Sequence, residues 1–295
     1  MRFKEKNMKD YVIFTDSACD ISPEILSEWG VPCVSLTFHF EGEDKEYSNG
    51  EMPVKDFYDR MREGGIAKTS AVNSEIFYEA FEKVVKEGKD LLYIGFSSGL
   101  SATYSAAKIA SEELMKAYPE SKVLTVDSLA ASAGFGLLLY LTLEEKKKGA
   151  GIEEAAAFAE NMKLKICHWF TVDDLKYLKR GGRVSPAVAL VGTVLGIKPV
   201  LHVDNDGHLI KKTTVRGRKA SISALADKFA ELADNTAGGT VYISHGDCAE
   251  DVKLLEDIFK ERFGIKIDIV TYVGPVIGAH AGPGVIALFF VGKER

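Results

Sequence analysis

Four stretches of the chain share one pattern, an apolar β-like run that ends in hydroxyl or acidic residues just before a helical stretch begins. They run from Tyr11 to Ser17, Leu91 to Ser98, Val123 to Ser128 and Val241 to His245. Short apolar runs that alternate with amphipathic helices dictate a parallel sheet covered by helices. In such sheets ligands collect at the carboxyl ends of the strands, where helix N-termini offer free N–H groups to anions. The pattern therefore predicts an α/β protein that holds a small anionic group.

The alternation runs to about Lys165, with amphipathic helices expected over 22–28, 54–63, 74–86, 101–118 and 130–148. Ser22-Pro23-Glu24 and Ser185-Pro186 each place a capping hydroxyl before a proline at the first helical position. The Lys146-Lys147-Lys148-Gly149 run reads as a helix C-terminus, with no functional weight. A second unit begins near Ile166, with helices expected at 173–179 and 185–195. Strands at 200–203 and 209–214 then flank a hairpin turn, Asp204-Asn205-Asp206-Gly207. A helix over 221–233, a strand at 241–244, a helix over 249–263 and strands at 266–272 and 287–291 complete it. We expect two domains: residues 1–165, three layers of α/β/α around a parallel sheet, and residues 166–295, α/β with a mixed sheet. A chain of 295 residues has ample length for both cores.

Composition excludes several classes. A formal net charge of −6 argues against nucleic acid as a partner. Cys19, Cys33, Cys167 and Cys248 are scattered and form no C-x-x-C pair, so neither a zinc site nor a redox motif is suggested, and reduced thiols are expected. The N-terminal residues lack the apolar core of a signal peptide, and no apolar run approaches the roughly 18 residues that span a bilayer. These features predict a cytoplasmic protein with no metal and no cofactor.

Gly95-Phe96-Ser97-Ser98-Gly99 matches G-x-S-x-G between a strand and a helix, the nucleophile-elbow pattern of serine hydrolases, and Asp247 and His280 follow in the required order. The rival reading is a turn whose serines bind a carboxylate or phosphate. Lys68-Thr69-Ser70 precedes a helix, so Thr69 or Ser70 is a candidate donor to an anion at a helix entrance, or a plain cap. Gly274 to Val285 sets a lone histidine, His280, among glycines, prolines and small apolar residues, which suits a tight loop wrapped against a ligand. An imidazole there can donate to a bound anion. His202 and His208 bracket the hairpin turn, whose spacing does not fit a calcium loop. Residues 186–195 are apolar on all sides, either a core helix or one wall of a lipid tunnel. Lys179-Arg180-Gly181-Gly182-Arg183 and the cluster Lys211, Lys212, Arg216, Arg218, Lys219 are basic islands that could meet an anionic partner. No Walker A pattern or G-x-G-x-x-G turn supports nucleotide binding.

With these residues in view, the chain resembles the DegV family of bacterial fatty-acid-binding proteins. The matching blocks are Thr15-Asp16-Ser17-Ala18-Cys19-Asp20, Lys68-Thr69-Ser70, Ser97-Ser98-Gly99-Leu100-Ser101 with Thr103-Tyr104, Val126-Asp127-Ser128, Leu178 to Arg183, Lys198-Pro199 with Gly207, and Gly274 to His280. The resemblance implies a two-domain, DegV-like fold that buries a long-chain fatty acid such as palmitate, stearate or oleate. It places the carboxylate on Thr69 and on Ser97 or Ser98, with His280 nearby, and makes Ser128, Arg180 and Arg183 candidates for the surrounding loops. It further implies a non-catalytic carrier that presents the carboxylate to a separate ATP-dependent fatty acid kinase, which Arg216 and Arg218 would help to meet, and it leaves room for transient membrane contact. Two departures stand beside the expected anchor, Ala71-Val72 where the family often has Gln-Pro and Ala102 where it commonly has glycine.

Overall fold

The computed structural model describes residues 9–185 and 196–295. In the first half, β1 (Tyr11–Asp16), β2 (Cys33–Val34), β6 (Asp90–Gly95) and β7 (Val123–Asp127) form a four-stranded sheet in the order β2-β1-β6-β7, with every pairing parallel. Its central strand β6, Asp-Leu-Leu-Tyr-Ile-Gly, is buried at every residue, as a strand covered on both faces must be. A small antiparallel sheet, β4-β3-β5, joins β3 (Thr37–Phe40), β4 (Tyr47–Ser48) and β5 (Ala67–Ser70). Its runs are too short to be read from sequence, and β5 carries Thr69.

The second sheet is mixed, as the hairpin signal implied. Strands β8 (Ile166–Thr171), β9 (Ile197–Val203), β10 (Leu209–Arg216), β11 (Val241–His245), β12 (Ile269–Tyr272) and β13 (Ile286–Val291) take the order β10-β9-β8-β13-β11-β12, in which only β11 and β12 are parallel. The β9–β10 turn closes on Gly207 at φ 78°, and Asp204 steadies it by accepting from the N–H groups of Asp206 and His208.

Helices α1 (Pro23–Glu28), α2 (Val54–Arg62), α3 (Ser74–Lys86), α4 (Thr103–Ala117), α5 (Ser132–Lys147), α6 (Ile152–Met162) and α7 (Lys176–Arg180) belong to the stretch before β9. Helices α8 (Arg218–Leu232), α9 (Ala249–Phe263) and α10 (Pro275–Ala281) follow β10. Ser22 caps α1 ahead of Pro23, as its sequence predicts. The helix expected over 185–195 falls mostly on 186–195, outside the described residues.

Helices α3 and α4 cover one face of the parallel sheet and α6 contacts its other side. Helix α5 packs on α6 and on β8, β11 and β13, while α8 and α9 close the far face of the mixed sheet. Contrary to the amphipathic reading of residues 130–148, every residue of α5 from Ser132 to Leu139 is buried. The sequence Ala-Gly-Phe-Gly-Leu-Leu-Leu has no polar face, so the helix lies inside the protein between the two sheets. One apolar core therefore runs continuously from residues of β1 and β6 through α5 to Phe170 and Phe289. A smaller core sits between the mixed sheet and α8 and α9.

Because Phe135 is fully buried at this junction, Phe135→Ala is expected to lower unfolding free energy by about 3–5 kcal/mol. Urea titration measures it, and a loss under about 1 kcal/mol would contradict a shared core at α5.

Candidate functional site

Segment 274–285, expected as a loop, contains a helix. Gly274 leads into Pro275 at the first helical position, and α10 runs to Ala281 before Gly282 ends it at φ 81°. Side chains from the first half of the chain hold its start. The Gly274 N–H donates to Asp20 Oδ1 at 3.0 Å and the Val276 N–H donates to Asn49 Oδ1 at 2.8 Å. Tyr58 donates its hydroxyl to the Val273 carbonyl at 2.7 Å. At the other end of α10, His280 Nε2 lies 2.9 Å from Thr69 Oγ1. Thr69 stands on strand β5, not at a helix entrance, and Asn73 caps the following helix by accepting from the Ile76 N–H.

Thr69 and His280 line a cavity of about 320 Å³, within the size range of small-molecule sites. The walls are mostly apolar, built from Leu36, Phe96, Leu100, Phe170, Val276 and Phe289 among others. Arg183, Ser70 and Ser101 add polar groups to the same walls. Arg183 Nε donates to the Leu100 carbonyl at 3.3 Å, which ties the basic loop to the turn after β6.

Burial, helped by the nearby Arg183 and Arg180 charges, pushes His280 down to about 4, so its imidazole is neutral near pH 7. Its buried Nδ1 has no hydrogen-bond partner. Gly181 makes this fit: a Cβ there would meet Nδ1 at 2.1 Å, which explains glycine in the basic loop. Burial also lowers Arg183 from its usual value. A cation and a hydroxyl that a neutral imidazole can orient, on one apolar cavity, suit a carboxylate.

The other residues marked in the sequence lie elsewhere. Ser97 is buried and donates to the Gly207 carbonyl at 2.9 Å, and a Cβ on Gly207 would come within 2.2 Å of that hydroxyl. The serine thus locks the β6 turn onto the β9–β10 hairpin. Ser98 is exposed, with its N–H given to Asp127 Oδ1 at 3.2 Å. Neither serine is among the residues that line the cavity. Ser97 also lacks the positive φ of Asp20, Leu129, Ser132 and Asp247, so the turn is without the strain of a nucleophile elbow. Asp247 pairs with Arg62 at 2.6 Å and His280 with Thr69, so no hydrogen bond joins Ser97, His280 and Asp247 into a triad.

Ser128 is buried and bonded to Ala130. Arg180 stands over the Tyr177 ring at 5.3 Å. Arg216, at the exposed end of β10, is free of the ties that hold Arg218 to Asp251 at 2.7 Å and to the Gly284 carbonyl. His202 is buried, stacks on Trp169 at 4.5 Å and bonds the His168 carbonyl through Nδ1. Among the described residues no cluster of His, Cys, Asp or Glu could hold a metal ion, and no helix is long and apolar enough to cross a membrane.

Sequence reasoning missed Asp20 and Asn49 as supports of α10, and Ser132, Ser244 and His168 as cavity walls. Asp20 and Ser244 lay within motifs already noted. His168 sits mid-strand, where only the pairing of β8 with β13 reveals which face it takes.

A mostly apolar chamber with a hydroxyl, an imidazole and a guanidinium on its wall thus lies inside this α/β fold. The chain belongs to the DegV family: the model described as "Uncharacterised protein, DegV family" matches residues 10–293. A DegV domain-containing protein of Clostridium perfringens is 41% identical over 98% of this chain and 99% of its own length. One from Lactococcus lactis is 35% identical over 96% of this chain and 98% of its own. Among solved structures, a DegV lipid-binding protein of Thermotoga maritima has a TM-score of 0.85 at 29% identity, covering 97% of this chain and 99% of its own. A stearic-acid-binding protein of Eubacterium ventriosum has a TM-score of 0.87 at 26% identity, covering 96% and 98%.

The His280 environment sets a pH dependence. A depressed imidazole contributes stability that is present above about 6.5, its unfolded value, and is lost as pH falls toward about 4, because only the unfolded chain takes up the proton. His280→Gln is expected to lose less stability than the parent between pH 7 and pH 5. Urea titrations at the two pH values measure this, and equal losses would contradict a neutral, desolvated His280.

Proposed function

We propose that the protein binds one long-chain fatty acid, buries the acyl chain in the cavity and holds the carboxylate at Thr69 and Arg183, with His280 orienting the threonine hydroxyl. The observation that carries this reading is the Thr69–His280 pair beside Arg183 on an otherwise mostly apolar chamber. If His280 Nε2–H donates to Thr69 Oγ1, the threonine hydroxyl hydrogen is free for a carboxylate oxygen, while the arginine balances charge. Burying the tail contributes about 0.8 kcal/mol per CH₂, so the chain supplies affinity and the polar group fixes direction. The stearic-acid-binding structure from Eubacterium ventriosum and the fatty-acid-binding DegV protein of Thermus thermophilus, 26% identical with a TM-score of 0.86, support the ligand class. On this reading Ser97 and Ser98 shape the turn beside the site, and residues 1–165 and 166–295 close over the ligand as two domains.

The protein then acts as a non-catalytic cytoplasmic carrier that offers the carboxylate to an ATP-dependent fatty acid kinase for conversion to an acyl phosphate. Arg216, exposed at the end of β10 and in no ion pair among the described residues, is the cation for that contact, since Arg218 is committed to Asp251.

Thr69→Val keeps the shape and removes the hydroxyl, so stearate affinity measured by calorimetry should fall about tenfold or more. Arg216→Ala should leave that affinity unchanged and lower acyl-phosphate formation with a fatty acid kinase. Unaltered stearate affinity in Thr69→Val would contradict the anchor, and unaltered turnover in Arg216→Ala would contradict the kinase surface.

A further inference from the structure

The sheet that floors the chamber carries one small side chain with room above it. Phe170, Ala287 and Ser244 stand side by side across β8, β13 and β11, since Ala287 pairs with Phe170 on one side and with Ser244 on the other. All three line the chamber, as does Phe289, the next residue on the same face of β13. Side chains paired across strands stand only about 5 Å apart. A methyl group bordered by two phenyl rings therefore leaves a notch in the floor.

The notch is open to the chamber. Core alanines such as Ala107, Ala133 and Ala155 are packed over and have no accessible surface, whereas Ala287 keeps 6% and Phe170 keeps 8%. β13 is an interior strand of its sheet, so this surface faces the chamber. Ile286 and Leu288, on the opposite face of the same strand, are at 0% and belong to the smaller core. On the β11 side of Ala287 the wall is closed: Ser244 has no surface and bonds Ser132 at 2.9 Å, and Ser132 bonds Asp20, which holds the start of α10. The anchor stands at the other end of that helix, where His280 meets Thr69. From Gly274 to His280 a helix rises about 9 Å.

We infer that Ala287 sets the length of acyl chain that the protein accepts: its notch receives a part of the tail remote from the carboxylate, and the size of the side chain at this position fixes how many methylenes can be buried. The inference rests on the fatty-acid reading and names a specificity residue within it. Each buried methylene multiplies affinity about fourfold. Affinity therefore climbs with chain length until the chamber is full and then stops. A larger side chain at position 287 takes the space of the last methylenes, so the climb stops sooner.

The test is a series of saturated fatty acids from laurate to stearate, titrated by calorimetry into the parent and into Ala287→Leu, which adds about three carbon-sized groups at the notch. Stearate affinity should fall at least about tenfold, close to the loss of two buried methylenes. Laurate affinity should stay within about twofold, less than the gain from one methylene. Ala287→Val adds a smaller, β-branched side chain that suits a strand, and should shift the length profile the same way by less. Urea titration establishes that each variant is folded. An unaltered length profile in a folded variant, or an equal loss for every acid, which marks general distortion, overturns the proposal while the fatty-acid reading stands. Failure of both variants to fold also overturns it, because the space over Ala287 would then not be free. Failure of every acid to bind the parent overturns the fatty-acid reading and the proposal with it.

Discussion

Everything at the site depends on how the short helix α10 is pinned. Seven residues with one glycine inside and no side-chain cap of their own form a poor helix in isolation. Asp20 and Asn49 supply the missing acceptors at its start, and Thr69 meets His280 at its end. All three partners come from the first half of the sequence, so the half that carries the histidine cannot place it alone. Asp20 sits at φ 51°, a backbone region that disfavours non-glycine residues, and its carbonyl also accepts from Thr271 Oγ1 at 2.9 Å. The surrounding hydrogen bonds hold that conformation.

Burial governs the charges around this pin. Asp16 is lifted to about 6 and Asp20 to about 7 by desolvation, even though Tyr93, Phe96 and Ala18 donate to the first and Ser132 and Gly274 to the second. His280 and His202 are driven down to about 4 by the same cause. These shifts oppose one another in stability. The raised carboxyls contribute below about 4 and lose their contribution as pH rises toward 6–7. The depressed imidazoles contribute above about 6.5 and lose theirs as pH falls toward 4. Near neutral pH the buried imidazoles are therefore uncharged, so Arg183 faces a neutral His280 on the mostly apolar chamber wall, a setting in which a carboxylate is held strongly by a small number of donors.

Much of the frame was legible in the sequence because it rests on local pattern. The apolar runs 11–16, 90–95 and 123–127 are parallel strands, Asp204 to Gly207 is a hairpin turn, and Ser22-Pro23 starts a helix. The strand-end acids were read less well. Asp16 and Asp127 take backbone N–H groups from neighbouring turns, Phe96 for the first and Ser98 and Leu129 for the second, so they knit the sheet edge together. Thr69 and His280 stood out as residues, but their pairing joins positions 211 apart and depends on a strand of four residues that periodicity could not reveal. Helix α5 escaped because its charged final turn, Glu144 to Lys147, suggested an exposed face that its first two turns do not have.

Mass spectrometry of the protein as purified, first in its native state and then after organic extraction, tests the central claim most directly. The account predicts one fatty acid per chain, released intact, with a mass that reports its length and unsaturation. A protein that carries no lipid and takes up neither palmitate nor oleate when they are supplied would contradict it.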